Sequence, residues 1–264
     1  MSDLTIYVDT SNGPTLVTVG IPDTAFDPGR TVLILPAAGR GGRNYVIGRM
    51  QTRLLEEGYG AVALEYPGRG LSPAGPSDNY SQFQALEEIL SWMQRELGWR
   101  PSTAAGLCAG ARYGLHLAAR APFIEDVFAI TCPSRRFNRR LRPGEGEDGF
   151  SGRLLRLKGA AARIAQGARG KEDLDSEWLP GIVADIRSAS ATARLHFLNG
   201  DQDRYLTDLR DLMSSGLLNR EQLAAIRVEL TAGNLRVMQR ISSADWISET
   251  ILENLTQRAV ALRG

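Results

Sequence analysis

Residues 102–121 read STAAGLCAGARYGLHLAARA, and their centre, Gly106-Leu107-Cys108-Ala109-Gly110, decides how the chain is to be understood. A short run of small and apolar residues leads into a helical pattern, with a cysteine held between two glycines at the junction. Glycines beside a residue permit a turn too tight for side chains, so such a junction lifts the side chain between them clear of the backbone. That is how a nucleophile is presented, and Cys108 is read as a candidate for one.

Working outward, the flanking sequence alternates strand and helix patterns. Leu4–Val8 and Thr15–Ile21 alternate apolar and polar residues around the turn signal TSNGP, which predicts an antiparallel hairpin. Thr31–Pro36 and Ala61–Leu64 are continuous apolar runs, as expected of strands buried on both faces of a parallel sheet. Helices are predicted around Val46–Gly58, Ser81–Leu97 and Arg112–Arg120. Asp126–Thr131, Arg194–Leu198 and Ile226–Leu230 read as further strands. Helices Thr207–Ser214, Arg220–Ala225 and Ala244–Leu262 complete the pattern, and Pro180-Gly181 reads as a break. Strands alternating with helices imply an α/β fold, a mostly parallel sheet between helical layers, with the site at the carboxyl ends of the strands.

Composition narrows the class. The chain has 264 residues, enough for one large domain or a domain with an insertion, and is 43% hydrophobic and 23% charged. No apolar run is long enough to span a membrane, and the start, MSDLTIYVDTSNG, lacks a secretory pattern, so a soluble cytoplasmic protein is expected. Two cysteines and two histidines make neither a disulfide framework nor a His-rich metal site, and no metal or cofactor is expected. Charge is uneven. From Arg135 to Lys171 eleven Arg or Lys face three acids, about +8, leaving about −7 on the rest of a chain whose total is +1.

Three loops at strand ends resemble those of the α/β-hydrolase superfamily. The first is the elbow at Cys108, with Gly114 four positions on from Gly110, where a small residue would let the helix lie close to the strand. The second is Glu65-Tyr66-Pro67-Gly68-Arg69-Gly70-Leu71-Ser72, similar to the family's acid and Pro-Gly-x-Gly-x-Ser turn. The third is Gly200-Asp201-Gln202-Asp203, similar to the Gly-x-x-Asp loop that carries the triad acid, which makes Asp203 the acid and Asp201 the second choice. The resemblance implies an α/β-hydrolase core over residues 1–133 and 181–264, with residues 134–180 as a basic helical lid that includes a helix at Leu154–Gln166.

Two positions depart from the family pattern. The first loop, usually His-Gly, here runs Pro36-Ala37-Ala38, although backbone N–H groups of Ala37 or Ala38 with Ala109 would still make an oxyanion hole. After the last strand, in Thr231-Ala232-Gly233-Asn234, asparagine stands where the catalytic histidine is expected. Asn234 can hydrogen-bond but cannot take a proton. His116 lies about 12 Å of helix rise beyond Cys108, and His196 falls mid-strand, so neither reads as the base.

Cysteine tolerates that loss better than serine. A free thiol titrates near about 8.5, and a helix N-terminus with a nearby cation such as Arg112 favours the thiolate. A thioester has a good leaving group of its own, so Cys108 with Asn234 and Asp203 suits acyl transfer or thioester cleavage. The alternatives are a passive small residue at Cys108 and, by analogy with atypical family members, a cavity that binds or isomerises a ligand without hydrolysis. In the insert, Arg135 and its neighbours suit an anionic small molecule, peptide or carrier-tethered acyl group. Phe137, Phe150 and Trp178 would line an apolar pocket, with Cys132 at its rim. Nucleic acid is not expected, since few aromatics interleave the charges. A homodimer stays open.

Overall fold

The computed structural model describes residues 2–23, 27–37, 45–67, 70–72, 79–133, 173–235 and 241–261. Met1–Ser134 with Ile182–Gly264 form one compact unit, and Arg135–Gly181 are a separate one. Of the latter only helical residues 173–180 and Gly181 are described, so the helix expected at 154–166 and the lid role lie outside the described residues.

The strands are β1 (Ser2–Thr10), β2 (Gly13–Ile21), β3 (Thr31–Leu35), β4 (Gly60–Leu64), β5 (Thr103–Leu107), β6 (Asp126–Ile130), β7 (Arg194–Gly200) and β8 (Ile226–Thr231). They make an 8-stranded sheet in the order β1-β2-β4-β3-β5-β6-β7-β8. β1 and β2 are the expected hairpin, β2 meets β4 antiparallel, and every later pairing is parallel. The helices are α1 (Tyr45–Glu56), α2 (Asn79–Trp92), α3 (Ala109–Ala118), α4 (Asp173–Ala189), α5 (Arg204–Ser214), α6 (Arg220–Ala224) and α7 (Ile241–Ala261).

Both faces of the sheet are covered, which is why β3 to β6 read as unbroken apolar runs. On one face Leu35, Val127, Phe197 and Ile226 pack with Tyr113, Leu115, Ile186 and Leu209 of α3, α4 and α5. On the other, Ile34, Leu107 and Phe128 meet Met50 and Leu54 of α1 and Ile247 and Ile251 of α7. At the amino ends of the strands a buried charge is fully engaged. Asp126 accepts Arg194 Nε and Nη2 at 2.8 and 2.9 Å and Arg258 Nη1 at 2.9 Å, tying β6, β7 and α7 together.

Two sequence expectations change. Pro180-Gly181 is no break, because α4 runs through it. A proline inside a helix forfeits one backbone hydrogen bond and costs about 3 kcal/mol. Ile182, Val183 and Ile186 are buried at helical spacing just beyond it, each worth about 1.5–3 kcal/mol, so packing outweighs the local preference. Gly114 is not the close-approach glycine either. A Cβ there would sit 3.4 Å from Val127, an ordinary contact, whereas at Gly106 it would sit 2.2 Å from Gly110 O and at Gly110 2.2 Å from Leu35 O. Gly110→Ala should therefore cost more than about 4 kcal/mol and leave little soluble protein, whereas Gly114→Ala should leave stability unchanged or gain about 0.5–1 kcal/mol. Urea denaturation of the two variants checks the contrast.

Candidate active site

The two close-approach glycines set the geometry of the elbow. With α3 pressed onto β5 and β3 through Gly106 and Gly110, Cys108 is left at φ 54°, ψ −113°, a conformation that side-chain residues rarely adopt. Such strain costs on the order of 1–3 kcal/mol and persists only where the surroundings enforce it. Here the Cys108 N–H donates to Ile130 O at 2.8 Å and its carbonyl accepts the Ala111 N–H at 3.0 Å. Cys108 is half-buried, at the position that opens α3. Ala109 is the first residue of α3, so its N–H has no acceptor within the helix.

The exit of β3 comes to the same rim. Ala37 is buried there, and Ala38 lies outside the described residues. Tyr66, which the sequence reading left without a role, fixes this exit by donating its hydroxyl to Pro36 O at 2.9 Å. Its ring meets Tyr113 edge-on with centroids 5.0 Å apart. Burial pushes the Tyr66 phenol well above its usual range, and the nearby Tyr113 and Cys108 add to the shift. The signal was its place directly after Glu65 in the Pro-Gly turn. Glu65 supports that turn: its carboxylate accepts the Leu71 N–H, and a Cβ at Gly70 (φ 55°) would collide with it. Ser72 completes the anchor, donating to Glu65 O at 2.7 Å and accepting the Leu16 N–H at 2.8 Å.

Asp203 and Asn234 are brought together. Asp203 begins α5 as its N-cap residue and accepts the Gly200 N–H at 2.7 Å and the Leu235 N–H at 3.2 Å. The Asn234 amide satisfies its neighbours when its nitrogen donates to Asp203 Oδ1 at 3.2 Å and to Gln202 O at 2.7 Å. Asp201 laces the same two loops, donating its N–H to Thr231 O at 2.9 Å and accepting the Gly233 N–H at 2.7 Å. A Cβ on Gly200 would lie 2.1 Å from Gly233 O, so this contact also depends on glycine.

Neither histidine joins this pair. His116 stacks on Phe83 at 3.7 Å and lies 3.5 Å from Asp185, on the helical side of α3. His196 is buried, stacked on Phe128 at 4.5 Å and 3.3 Å from Asp126. Arg112 is buried and donates to Asp185 Oδ2 at 3.0 Å, so its charge is committed to α4 rather than offered to a ligand. Burial works to raise the Asp185 carboxyl, but the hydrogen bond from His116 and the Arg112 charge outweigh it and hold it below the usual range. This partner comes from 73 residues away, and nothing local to Arg112 announces it. Burial also pushes the Cys132 thiol up to about 12, with the Arg112 charge opposing and Cys108 adding, so Cys132 stays protonated. Trp178 lies in α4, and Arg135, Phe137 and Phe150 lie outside the described residues. Among the described residues no cluster of His, Cys, Asp and Glu could hold a metal, and no helix is long and apolar enough to cross a membrane.

The strand order, the strained residue after β5, the acid after β7 and its contact after β8 together match one family. The model of the alpha/beta hydrolase family matches residues 32–255. The chain belongs to that family. Solved structures share the hydrolase fold at low identity. An alpha-beta serine hydrolase homologue from Coxiella burnetii is 14% identical, with a TM-score of 0.64 over 97% of this chain and 98% of its own. A Pyrococcus furiosus esterase is 15% identical, with a TM-score of 0.65 over 97% and 90%. The thioesterase domain of the curacin biosynthetic pathway is 12% identical, with a TM-score of 0.63 over 96% and 100%. No curated protein matches the sequence of this hydrolase-family chain.

Proposed function

We propose that this chain is an acyl-transfer or thioester-cleaving enzyme with Cys108 as its nucleophile. The observation that carries the reading is a half-buried cysteine on a strained elbow at the start of α3, in a site whose acid holds an asparagine. The Cys108 thiolate attacks the carbonyl carbon of an acyl thioester. The oxyanion that forms is held by the Ala109 N–H together with one from Ala37 or Ala38. Collapse of this intermediate breaks the original C–S bond and expels the substrate thiolate, which needs little acid help. The acyl group is then a thioester of Cys108. Asn234, whose amide hydrogens go to Asp203 and Gln202 O, takes no proton, so activation of water is poor and an acceptor with its own nucleophilicity is favoured.

The basic insert, with Arg135, Phe137, Phe150 and Trp178, serves in this reading as a lid that draws in an anionic or carrier-tethered acyl group. Cys132 forms part of the pocket wall, and a reduced thiol at Cys108 suits a reducing compartment such as the cytoplasm. A second reading, non-hydrolytic binding or isomerisation of an anionic ligand, is favoured by one observation: both histidines are engaged away from Cys108.

The pH dependence of iodoacetamide alkylation, followed by intact mass and peptide mapping, separates the two. A prepared nucleophile gives one adduct, on Cys108, with a midpoint below that of free cysteine at about 8.5. Acyl thioesters then leave an acyl adduct on the same peptide. If Cys108 is inert or titrates as a free thiol, covalent catalysis is rejected in favour of the second reading.

A further inference from the structure

The sheet ends in two edge strands with opposite characters. β8 is short, pairs only with β7 among the described residues, and leaves Val228 and Leu230 37% and 44% exposed. It carries no proline and no bulge, two of the devices that keep an edge from pairing, and its two charges, Arg227 and Glu229, are of opposite sign. The direction of its backbone groups is fixed by β7. Leu195 N–H donates to Ala225 O and Asp201 N–H donates to Thr231 O, so the carbonyls at 225 and 231 face inward. By alternation, residues 227 and 229 also face β7, and the N–H and C=O groups of Ile226, Val228 and Leu230 face outward.

We infer that β8 pairs antiparallel with β8 of a second copy, about a two-fold axis at Val228, joining the two sheets into one. In this register Val228 faces Val228 and Ile226 faces Leu230 of the second copy, each pair exchanging both backbone hydrogen bonds. Arg227 then stands directly opposite Glu229 of the second copy, twice, at the close spacing of a non-hydrogen-bonded pair. Charge selects the register. Sliding to a centre at residue 227 would set Arg227 against Arg227, and a centre at 229 would set Glu229 against Glu229. The stretch Arg227-Val228-Glu229 is complementary only to itself, reversed. β1 gives the contrast: pairing its full length about Ile6 would set Asp3 against Asp9 of the second copy, twice. That edge repels its own kind.

A single strand pair is a small interface, so the dimer is expected in the micromolar range. Sedimentation velocity on the full chain from about 1 to 100 µM should show reversible dimer. Arg227→Glu should raise the dissociation constant at least about tenfold. Val228→Lys, which sets like charges on the two-fold at an exposed site, should do the same, with an unchanged melting curve showing that the fold is intact. Within its own chain Glu229 Oε1 already accepts the Asn254 amide at 3.0 Å and lies 3.3 Å from Nδ1 of the buried His196, so Glu229→Lys is used only in a mixture. Arg227→Glu and Glu229→Lys chains should each fail to self-associate yet form a heterodimer with one another. Monomer for the unmodified chain throughout, or a dimer indifferent to Arg227→Glu and Val228→Lys, overturns the inference. Dissociation by both without heterodimer rescue overturns this register.

Discussion

Cys108→Ala is expected to fold normally and to lose about 10³-fold or more of thioester turnover, together with every trace of the acyl adduct. The residue is only half-buried, at the edge of the core cluster it packs against, so removing one sulfur atom leaves no large cavity. Cys108→Ser sharpens the test. A serine hydroxyl is a usable nucleophile only if a base removes its proton, and no histidine is placed to do so. The serine variant should therefore be nearly as inactive as the alanine one. Retained activity in Cys108→Ser would reveal a working base and overturn the unassisted thiolate mechanism. The measurement is steady-state turnover of a short acyl thioester, paired with intact mass after quenching.

Asn234→His is expected to gain activity, with hydrolysis of a 4-nitrophenyl ester rising by about 10²–10⁴-fold, the usual worth of a general base. Asp203 already holds the amide nitrogen of Asn234 at 3.2 Å, and an imidazole N–H there would find the same carboxylate. The other ring nitrogen would then be free to serve the thiol and, afterwards, water. Because deacylation is the step that lacks a base, the acyl adduct of the parent chain should shorten its lifetime in the variant. If hydrolysis does not rise while the melting curve is unchanged, residue 234 does not serve the thiol. The Asn234–Asp203 pair would then be part of the loop structure alone.

Much of this architecture was legible in the chain because burial on both sides writes itself plainly. The runs Thr31–Leu35 and Gly60–Leu64 carry no polar interruption after their first residue, and the sheet places both at its centre. The elbow was legible for a different reason: only glycine at 106 and 110 escapes a collision with backbone. That Asp203 and Asn234 would meet was implied by the resemblance of their two loops to the family's acid and histidine loops, and the structure brings those residues together. What could not be read were partners distant in sequence. Arg112 looked like a free cation one turn from Cys108, but its neutralising Asp185 sits on α4. Pro180 looked like a helix end, because the local cost of proline is visible in sequence whereas the burial of Ile182 and Ile186 is not. Tyr66 was passed over since nothing in one sequence says that its hydroxyl reaches Pro36.

The hydrogen bonds around Asp203 carry a consequence for how this scaffold changes its chemistry. Two of its acceptor contacts go to the main chain, at Gly200 in its own loop and at Leu235, directly after residue 234 in the neighbouring loop. Those anchors are indifferent to which side chain occupies 234. The address of the third group is thus written in backbone, and its occupant is a separate choice. A scaffold wired in this way can exchange a proton carrier for a neutral hydrogen-bonding group in one substitution without refolding the loop, and can exchange it back.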